Sequence, residues 1–166
     1  MYSSLFDASP KHRQSRLTSR TAWTSAKCTS SEWMLIDLGS MMNIVGVLIG
    51  GRADEWFNQF VTKVSFEFSA DGRTFASNPG HALEFIAVQQ SVRRNPAPTP
   101  VMFRESRARY VRIYTRDWYK SRRKKSESPI SMRAAVLVND LSPTDVQRWW
   151  FRETLAAGFQ RHAIAF

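Results

Sequence analysis

The feature that most constrains the fold of this chain is a period-two alternation of apolar and polar residues. In "VTKVSFEFS" (61–69), Val64, Phe66 and Phe68 would face one side of a strand and the polar residues between them the other. The segment "ARYVRIYT" (108–115) alternates in the same way. A half-buried β-strand has this pattern, so both segments are predicted to be strands.

Other apolar runs extend the same prediction along the chain. They lie at 32–39, 43–51, 83–88 and 131–139, with the short polar link "SMM" between the first two. Proline- and glycine-containing loops separate several of the runs. Because no helical period occurs before residue 142, the chain is predicted to be an all-β antiparallel sandwich or barrel over residues 1–140.

The residues from 141 to 166 have a different pattern. Ser142 is a suitable N-cap and Pro143 a suitable first helical residue, so we predict a C-terminal amphipathic helix of about 16–20 residues followed by the apolar tail "AIAF". The helix would either pack on its own domain or dock on a partner. Its proposed docking residues are Trp149, Trp150, Leu155 and Phe159.

Positive charge is concentrated in one part of the chain. The formal net charge is +10, and residues 104–133 carry eleven lysines and arginines against three acids. Five of these cations lie within 120–125. A one-sided positive field favours an acidic partner such as a protein surface, an anionic membrane or a nucleic acid.

The composition argues against several classes of protein. The single cysteine, Cys28, cannot form an internal disulfide, and we find neither a signal-peptide pattern nor an apolar run long enough to span a bilayer. We therefore expect an intracellular protein, cytoplasmic or cytoskeletal. The histidines are scattered, and no catalytic constellation or phosphate-binding glycine loop is evident, so we expect no enzyme activity, no cofactor and no small-molecule substrate.

Five segments in order carry a family resemblance. They are "EWMLIDLG" (32–39), "IVGVLIGGR" (44–52), "VSFEFSADGRTF" (64–75), "ARYVRIYTRDW" (108–118) and "ISMR" (130–133). Together they resemble the discoidin domain, also called the coagulation factor 5/8 type C domain. The resemblance implies a jelly-roll-like β-sandwich of about eight main strands that acts as a binding module and not as an enzyme.

The resemblance also implies structural roles for several residues. Trp23 and Trp33 would be core aromatics near one end of the sandwich. Asp37 lies on a strand that is otherwise buried, so its carboxylate needs a cationic partner. Arg109 and Arg112 are the candidates for that partner.

Family members hold glycans, anionic phospholipids or proteins at loops clustered on one end of the sandwich. Two loops of this chain would lie there, one containing "ADEWFNQF" and the other spanning the eleven residues 119–129, which is longer than usual for the family. The binding residues that the resemblance implies are Trp56, Phe57, Trp118, Tyr119, Lys120, Arg122, Arg123, Lys124 and Lys125.

The chain departs from the calcium-binding members of the family. The early loop "LTSRTAW" has no acid, and alanines follow "ISMR", so we expect no metal site. The leading hypothesis is a scaffolding subunit of a larger assembly, docked on an acidic protein surface such as a cytoskeletal polymer. Binding to anionic phospholipid membrane is the second hypothesis. Nucleic-acid binding and glycan binding follow.

Overall fold

The protein forms an antiparallel all-β fold, as predicted. The computed structural model describes residues 1–53, 58–80, 82–88, 97–120, 129–139 and 162–164. In these residues there are seven strands: β1 (Trp23–Thr24), β2 (Trp33–Gly50), β3 (Val61–Ser69), β4 (Phe85–Ile86), β5 (Thr99–Trp118), β6 (Ser131–Val138) and β7 (His162–Ile164). A short 3-10 turn, Pro10–His12, precedes β1.

The long strands β2 and β5 form the centre of the fold. The strand order is β1-β6-β2-β5-β3-β4. Strand β7 lies outside this order and pairs with β6. β2 and β5 pair from Trp33 opposite Tyr114 to Ile49 opposite Thr99. One half of β5 also pairs with β3, and the opposite half of β2 pairs with β6. Both halves contribute to one core, so the two long strands belong to both layers of the sandwich.

The polar link predicted between two strands is instead a bulge within β2. The pairing with β5 shifts register between Asp37 and Met42, and Gly39 has a φ of +79° there. A bulge lets a strand bend while it keeps its partner. Residues 33–50 are therefore one bent strand and not two separate strands.

The main core lies between the two layers. Val64, Phe66 and Phe68 are buried, as the alternation of β3 predicts. Trp23 is fully buried; its indole Nε1 donates to the carbonyl oxygen of Ser4 at 2.9 Å, and its ring stacks on Tyr2 with centroids 5.6 Å apart.

Strand β6 is buried along its whole length. Alternate residues such as Val136 enter the main core, while Ala135 and Leu137 pack with Leu48 and Leu17 on the opposite face. A strand covered on both faces has a nearly continuous apolar sequence, as "ISMRAAVLV" does.

The prediction that Trp33 is a core residue is wrong. Met34 and Ile36 point into the core, so the alternation of β2 places Trp33 on the outer face, where it is only partly buried. The guanidinium of Arg112 lies 5.0 Å from the centre of its ring.

The same alternation places Asp37 outside the core. Arg109 Nε and Nη2 donate to the two Asp37 oxygens at 2.8 and 2.9 Å. The Asp37 side chain is 44% exposed, so the pair is a bidentate surface ion pair and not the buried pair expected. The hydrogen bond from Arg109 is the main reason that the pKa of Asp37 is lowered.

The predicted C-terminal helix, with Trp149, Trp150, Leu155 and Phe159, lies outside the described residues. Part of the tail is described: β7 pairs antiparallel with residues 136–138 of β6. The division of the chain at residue 140 stays a prediction.

Candidate functional site

Several strand ends meet at one end of the sandwich. Val61, the first residue of β3, pairs with Trp118, the last residue of β5. Gly50 at the end of β2 pairs with Arg133 near the start of β6. We call this region the loop end, and its described residues are 15–20, 51–53, 58–60, 119–120 and 129–130.

Tyr119 joins two of the connections at the loop end. Its backbone N–H donates to the carbonyl oxygen of Phe60 at 2.9 Å. The two rings stack with centroids 5.0 Å apart and an interplanar angle of 17°. The residues that follow β5 are thereby packed against those that precede β3. Tyr119 remains 37% exposed, so part of its ring is available to a ligand.

Lys120 is held close to the end of β5. Its Nζ lies 3.1 Å from Asp117 Oδ1 and 4.8 Å from the centre of the Trp118 ring. Burial alone would raise the pKa of Asp117. Hydrogen bonds from Lys120 and from the Trp118 backbone N–H, together with nearby positive charge, outweigh this effect, so the pKa is lowered. Trp118 is partly buried against the main core, so it supports the loop end more than it projects from it.

The remaining residues predicted to bind lie outside the described residues. They are Trp56, Phe57, Arg122, Arg123, Lys124 and Lys125. The described residues on either side of them do lie at the loop end, namely Ala53 and Asn58 for the first segment and Lys120 and Pro129 for the second.

Arg133 is a residue of this region that the sequence analysis missed. Its side chain is buried, with 2% of the residue exposed. Nε donates to the Gly51 carbonyl oxygen at 2.6 Å, and Nη1 donates to those of Leu17 and Ser19 at 2.5 and 2.9 Å. One guanidinium therefore ties the segment before β1 to the end of β2.

The buried site of Arg133 affects its pKa and restricts the residue that pairs with it, Gly50. Burial lowers the pKa of the guanidinium. A Cβ at Gly50 would lie 3.3 Å from Arg133 Nη2, so a residue without a side chain leaves room for the arginine. The sequence signal for this role was available, because a lone arginine inside an apolar strand must find acceptors for its N–H groups.

Two exposed arginines flank the segment that Arg133 holds. Arg16 and Arg20 border the carbonyl groups of Leu17 and Ser19, and neither has a carboxylate partner among the described residues. These two arginines were not predicted to bind, because they are far in sequence from the basic segment at 120–125. The fold brings them to the same end of the sandwich.

Glu32 is a buried carboxylate that serves the N-terminal segment. It is 3% exposed and accepts hydrogen bonds from the hydroxyl groups of Ser3, at 2.6 Å, and Ser4. Its backbone oxygen accepts from Thr115 Oγ1 at 3.1 Å. These contacts fix residues 1–6 beside β1 and β2, which is a structural role.

Residues 2–135 match the F5/8 type C domain. The chain belongs to this family. Among curated relatives, it is 30% identical over 100 residues to lactadherin of Bos taurus and 29% identical over 104 residues to lactadherin of Sus scrofa. Each match covers 59% of this chain but only 23% and 24% of the relatives, so the chain spans about a quarter of their length.

Solved structures support the same fold. Discoidin II of Dictyostelium discoideum is similar with a TM-score of 0.67 and 18% identity, over 86% of this chain and 55% of that one. The module CBM32-3 from a family 31 glycoside hydrolase of Clostridium perfringens has a TM-score of 0.55 and 16% identity, over 81% and 83% of the two chains. The chitosan-binding module 1 of a chitosanase/glucanase from Paenibacillus sp. IK-5 has a TM-score of 0.52 and 16% identity, over 82% and 91%.

Two further observations concern the described part of the chain alone. Within it, no three histidine, cysteine, aspartate or glutamate side chains are grouped so that they could hold a metal ion. The described ranges also contain no helix that is long and apolar enough to cross a membrane.

Proposed function

We propose that this chain is a non-catalytic binding module whose loop end docks on an acidic protein surface within a larger intracellular assembly. The observation that carries the proposal is the placement of Arg16 and Arg20. Both are exposed, lack a carboxylate partner in the described residues, and are held in place by the buried Arg133. In the sequence, the basic segment 121–128 directly follows Lys120.

Charge of this kind acts mainly on the encounter between partners. An exposed ion pair contributes only about 0.2–1 kcal/mol, because water and salt screen it. A group of cations of one sign, however, steers an acidic partner and raises the association rate. The complex is therefore expected to weaken steeply as salt is added, unless apolar contacts also form.

The described apolar residues at the loop end favour a protein partner over a membrane. Tyr119 is partly covered by its stacking on Phe60, and Trp118 packs against the core, so neither is a freely projecting anchor. Binding to anionic membrane would depend instead on Trp56 and Phe57 as apolar tips. This alternative uses the same cations, with each contributing about 1 kcal/mol near an anionic surface.

The first experiment measures binding of the full chain to poly-glutamate, to vesicles containing phosphatidylserine and to a single-stranded oligonucleotide, over a series of salt concentrations. We expect Arg16→Ser with Arg20→Ser to weaken poly-glutamate binding and to reduce its salt dependence. A matched control replaces Arg73 and Arg107 by serine. It removes the same charge from exposed positions away from the loop end and should change little.

A second variant tests the basic segment. Replacing Arg122, Arg123, Lys124 and Lys125 by serine should weaken the same binding without lowering the melting temperature, because the substitutions remove charge and no predicted core residue. Equal binding by the loop-end variants and the control would contradict the proposal. Binding to vesicles or oligonucleotide without binding to poly-glutamate would replace it with the membrane or nucleic-acid function.

A further inference from the structure

A concave region lies on the flank of the sandwich, beside β3. It has a volume of about 610 Å³ and is lined by Ser65, Phe66 and Glu67 of β3, Arg116 of β5, Ser30 and residues 77–80 and 82–84. Clefts that bind small ligands typically have about 300–1,000 Å³. Among the residues that the family resemblance implies for binding, the three that are described, Trp118, Tyr119 and Lys120, do not line it.

The described residues 77–80 and 82–84 are anchored near both ends. The Asn78 amide donates to the Ser106 hydroxyl, and the segment then leads into β4, which pairs with Lys63 and Val64 of β3. Because these residues are fixed near both ends, the cleft keeps its shape without a ligand. A preformed cleft loses less conformational entropy when it binds.

Arg116 has a fixed orientation in this cleft. Its Nε donates to Ser65 Oγ at 2.7 Å, its guanidinium carbon lies 4.8 Å from the centre of the Tyr114 ring, and Nη1 lies 3.5 Å from the Ser30 carbonyl oxygen. Nη2 has no acceptor among the described residues. A planar guanidinium held in this way suits the two oxygens of a carboxylate.

The charges that line the cleft leave Arg116 without an acidic partner. Glu67 lies 3.3 Å from Arg112 Nη1, and Glu84 lies 3.3 Å from Lys63 Nζ. Both carboxylates are therefore already paired with a cation. Within the described part of the chain, Arg116 forms no ion pair, so the cleft favours an anionic group.

One side of the cleft carries an aliphatic residue, Leu83, and leads into an edge strand of the sheet. Leu83 is 89% exposed, and Ile86 of β4 is 61% exposed. In the described residues β4 pairs only with β3, so its outer edge can accept another strand. Exposed aliphatic side chains beside a sheet edge suit the apolar side chains of an extended peptide.

We propose that this cleft binds an extended peptide segment of a partner protein, with a carboxylate on Arg116 and an adjacent apolar side chain on Leu83. The peptide backbone runs beside β4. The site is separate from the loop end and does not depend on the function proposed there. It gives the module a second contact, specific for a short acidic and aliphatic sequence.

The test selects random eight-residue peptides by mRNA display against the full chain, against Arg116→Gln and against the control Arg73→Gln. We expect the wild type and the control to enrich peptides with an acidic residue close to an aliphatic one. Arg116→Gln should lose that enrichment and bind the selected peptides about tenfold more weakly, since a charge-assisted pair of bonds is removed. Recovery of the same peptides on Arg116→Gln, or no enrichment at all, would overturn the proposal.

Two further measurements test whether the selected peptides bind at this cleft. Leu83→Ser changes an exposed residue, so it should leave the melting temperature unchanged while it weakens peptide binding several-fold. In nuclear magnetic resonance titrations, a selected peptide should shift the amide signals of 65–67 and 77–84. Shifts confined to 15–20 and 119–120 would assign the binding to the loop end, and stronger shifts of the cleft by oligogalacturonate would assign the cleft to acidic saccharides. Either result would refute the peptide site.

Discussion

Arg133 offers the sharpest test of how the loop end is built. Its guanidinium donates hydrogen bonds of 2.5–2.9 Å to the carbonyl groups of Leu17, Ser19 and Gly51, which belong to two separate chain segments. Hydrogen bonds that involve a charged group contribute about 1.5–3 kcal/mol each. Lysine has a methylene group where arginine has Nε, so it loses the bond to Gly51, and its ammonium falls short of the Nη1 position, which weakens the other two bonds. Arg133→Lys should therefore lower the free energy of unfolding by about 3–5 kcal/mol, because one such bond is lost and two are weakened inside a buried site.

The assay is urea denaturation followed by tryptophan fluorescence, together with thermal unfolding. For a domain of this size the expected loss corresponds to a fall in melting temperature of roughly 10–15 °C. Arg133→Met is the comparison variant, since it keeps an apolar stem but leaves all the carbonyl groups without their donor. If both variants stay within about 1 kcal/mol of the wild type, Arg133 does not hold the loop end together.

Three other predictions follow from the packing and the charges. Trp23→Ala should lower the free energy of unfolding by about 3–5 kcal/mol, because it removes a fully buried indole. Trp33→Ala should lower it by less than about 2 kcal/mol, because Trp33 lies on the outer face. Denaturation curves that reverse this order would contradict the assignment of faces. Backbone N–H groups of Thr74 and Arg73, with the Ser69 hydroxyl, lower the pKa of Asp71 from 3.8 to about 2. Because the pKa is lower in the folded state, the carboxylate stabilises the fold above about pH 4, and this stabilisation is lost as the pH falls towards 2. Asp71→Ala should therefore lose less stability than the wild type between about pH 4 and pH 2, as measured by urea unfolding at several pH values. Identical pH profiles of the variant and the wild type would show that the Asp71 carboxylate does not contribute to the pH dependence of stability. Gly46→Ala should destabilise by about 1–3 kcal/mol, because the new Cβ would lie 2.8 Å from the Val101 carbonyl oxygen, and an unchanged melting temperature would mean that the backbone yields easily.

The strands were predictable because their signal is local. Val64, Phe66 and Phe68 are buried as their alternation required, and the bulge in β2 was missed only because a polar link and a bulge have the same sequence pattern. Trp33 shows a different kind of error. The period-two rule, applied from Met34, would have placed it on the outer face, but the family resemblance implied a core aromatic.

The candidate site was less predictable. The resemblance indicated two loops, but it did not assign Arg16 or Arg20 to that end, since both lie far in sequence from the two loops. The ion pair of Asp37 with Arg109 was anticipated as one of two options, yet its exposure was not. Exposure depends on which face of the strand is covered, which requires the neighbouring strands.

The sequence by itself determined the class of fold, the family and the excess of positive charge, because each of these depends on residue type and on spacing along the chain. Only the tertiary structure decided which cations meet and which clefts form. Arg133 reaches Leu17 across 116 positions of sequence, and the cleft places Arg116 beside Ser65 across 51. Such contacts depend on strand order and register, and these are fixed by the burial of both layers together rather than by any one segment.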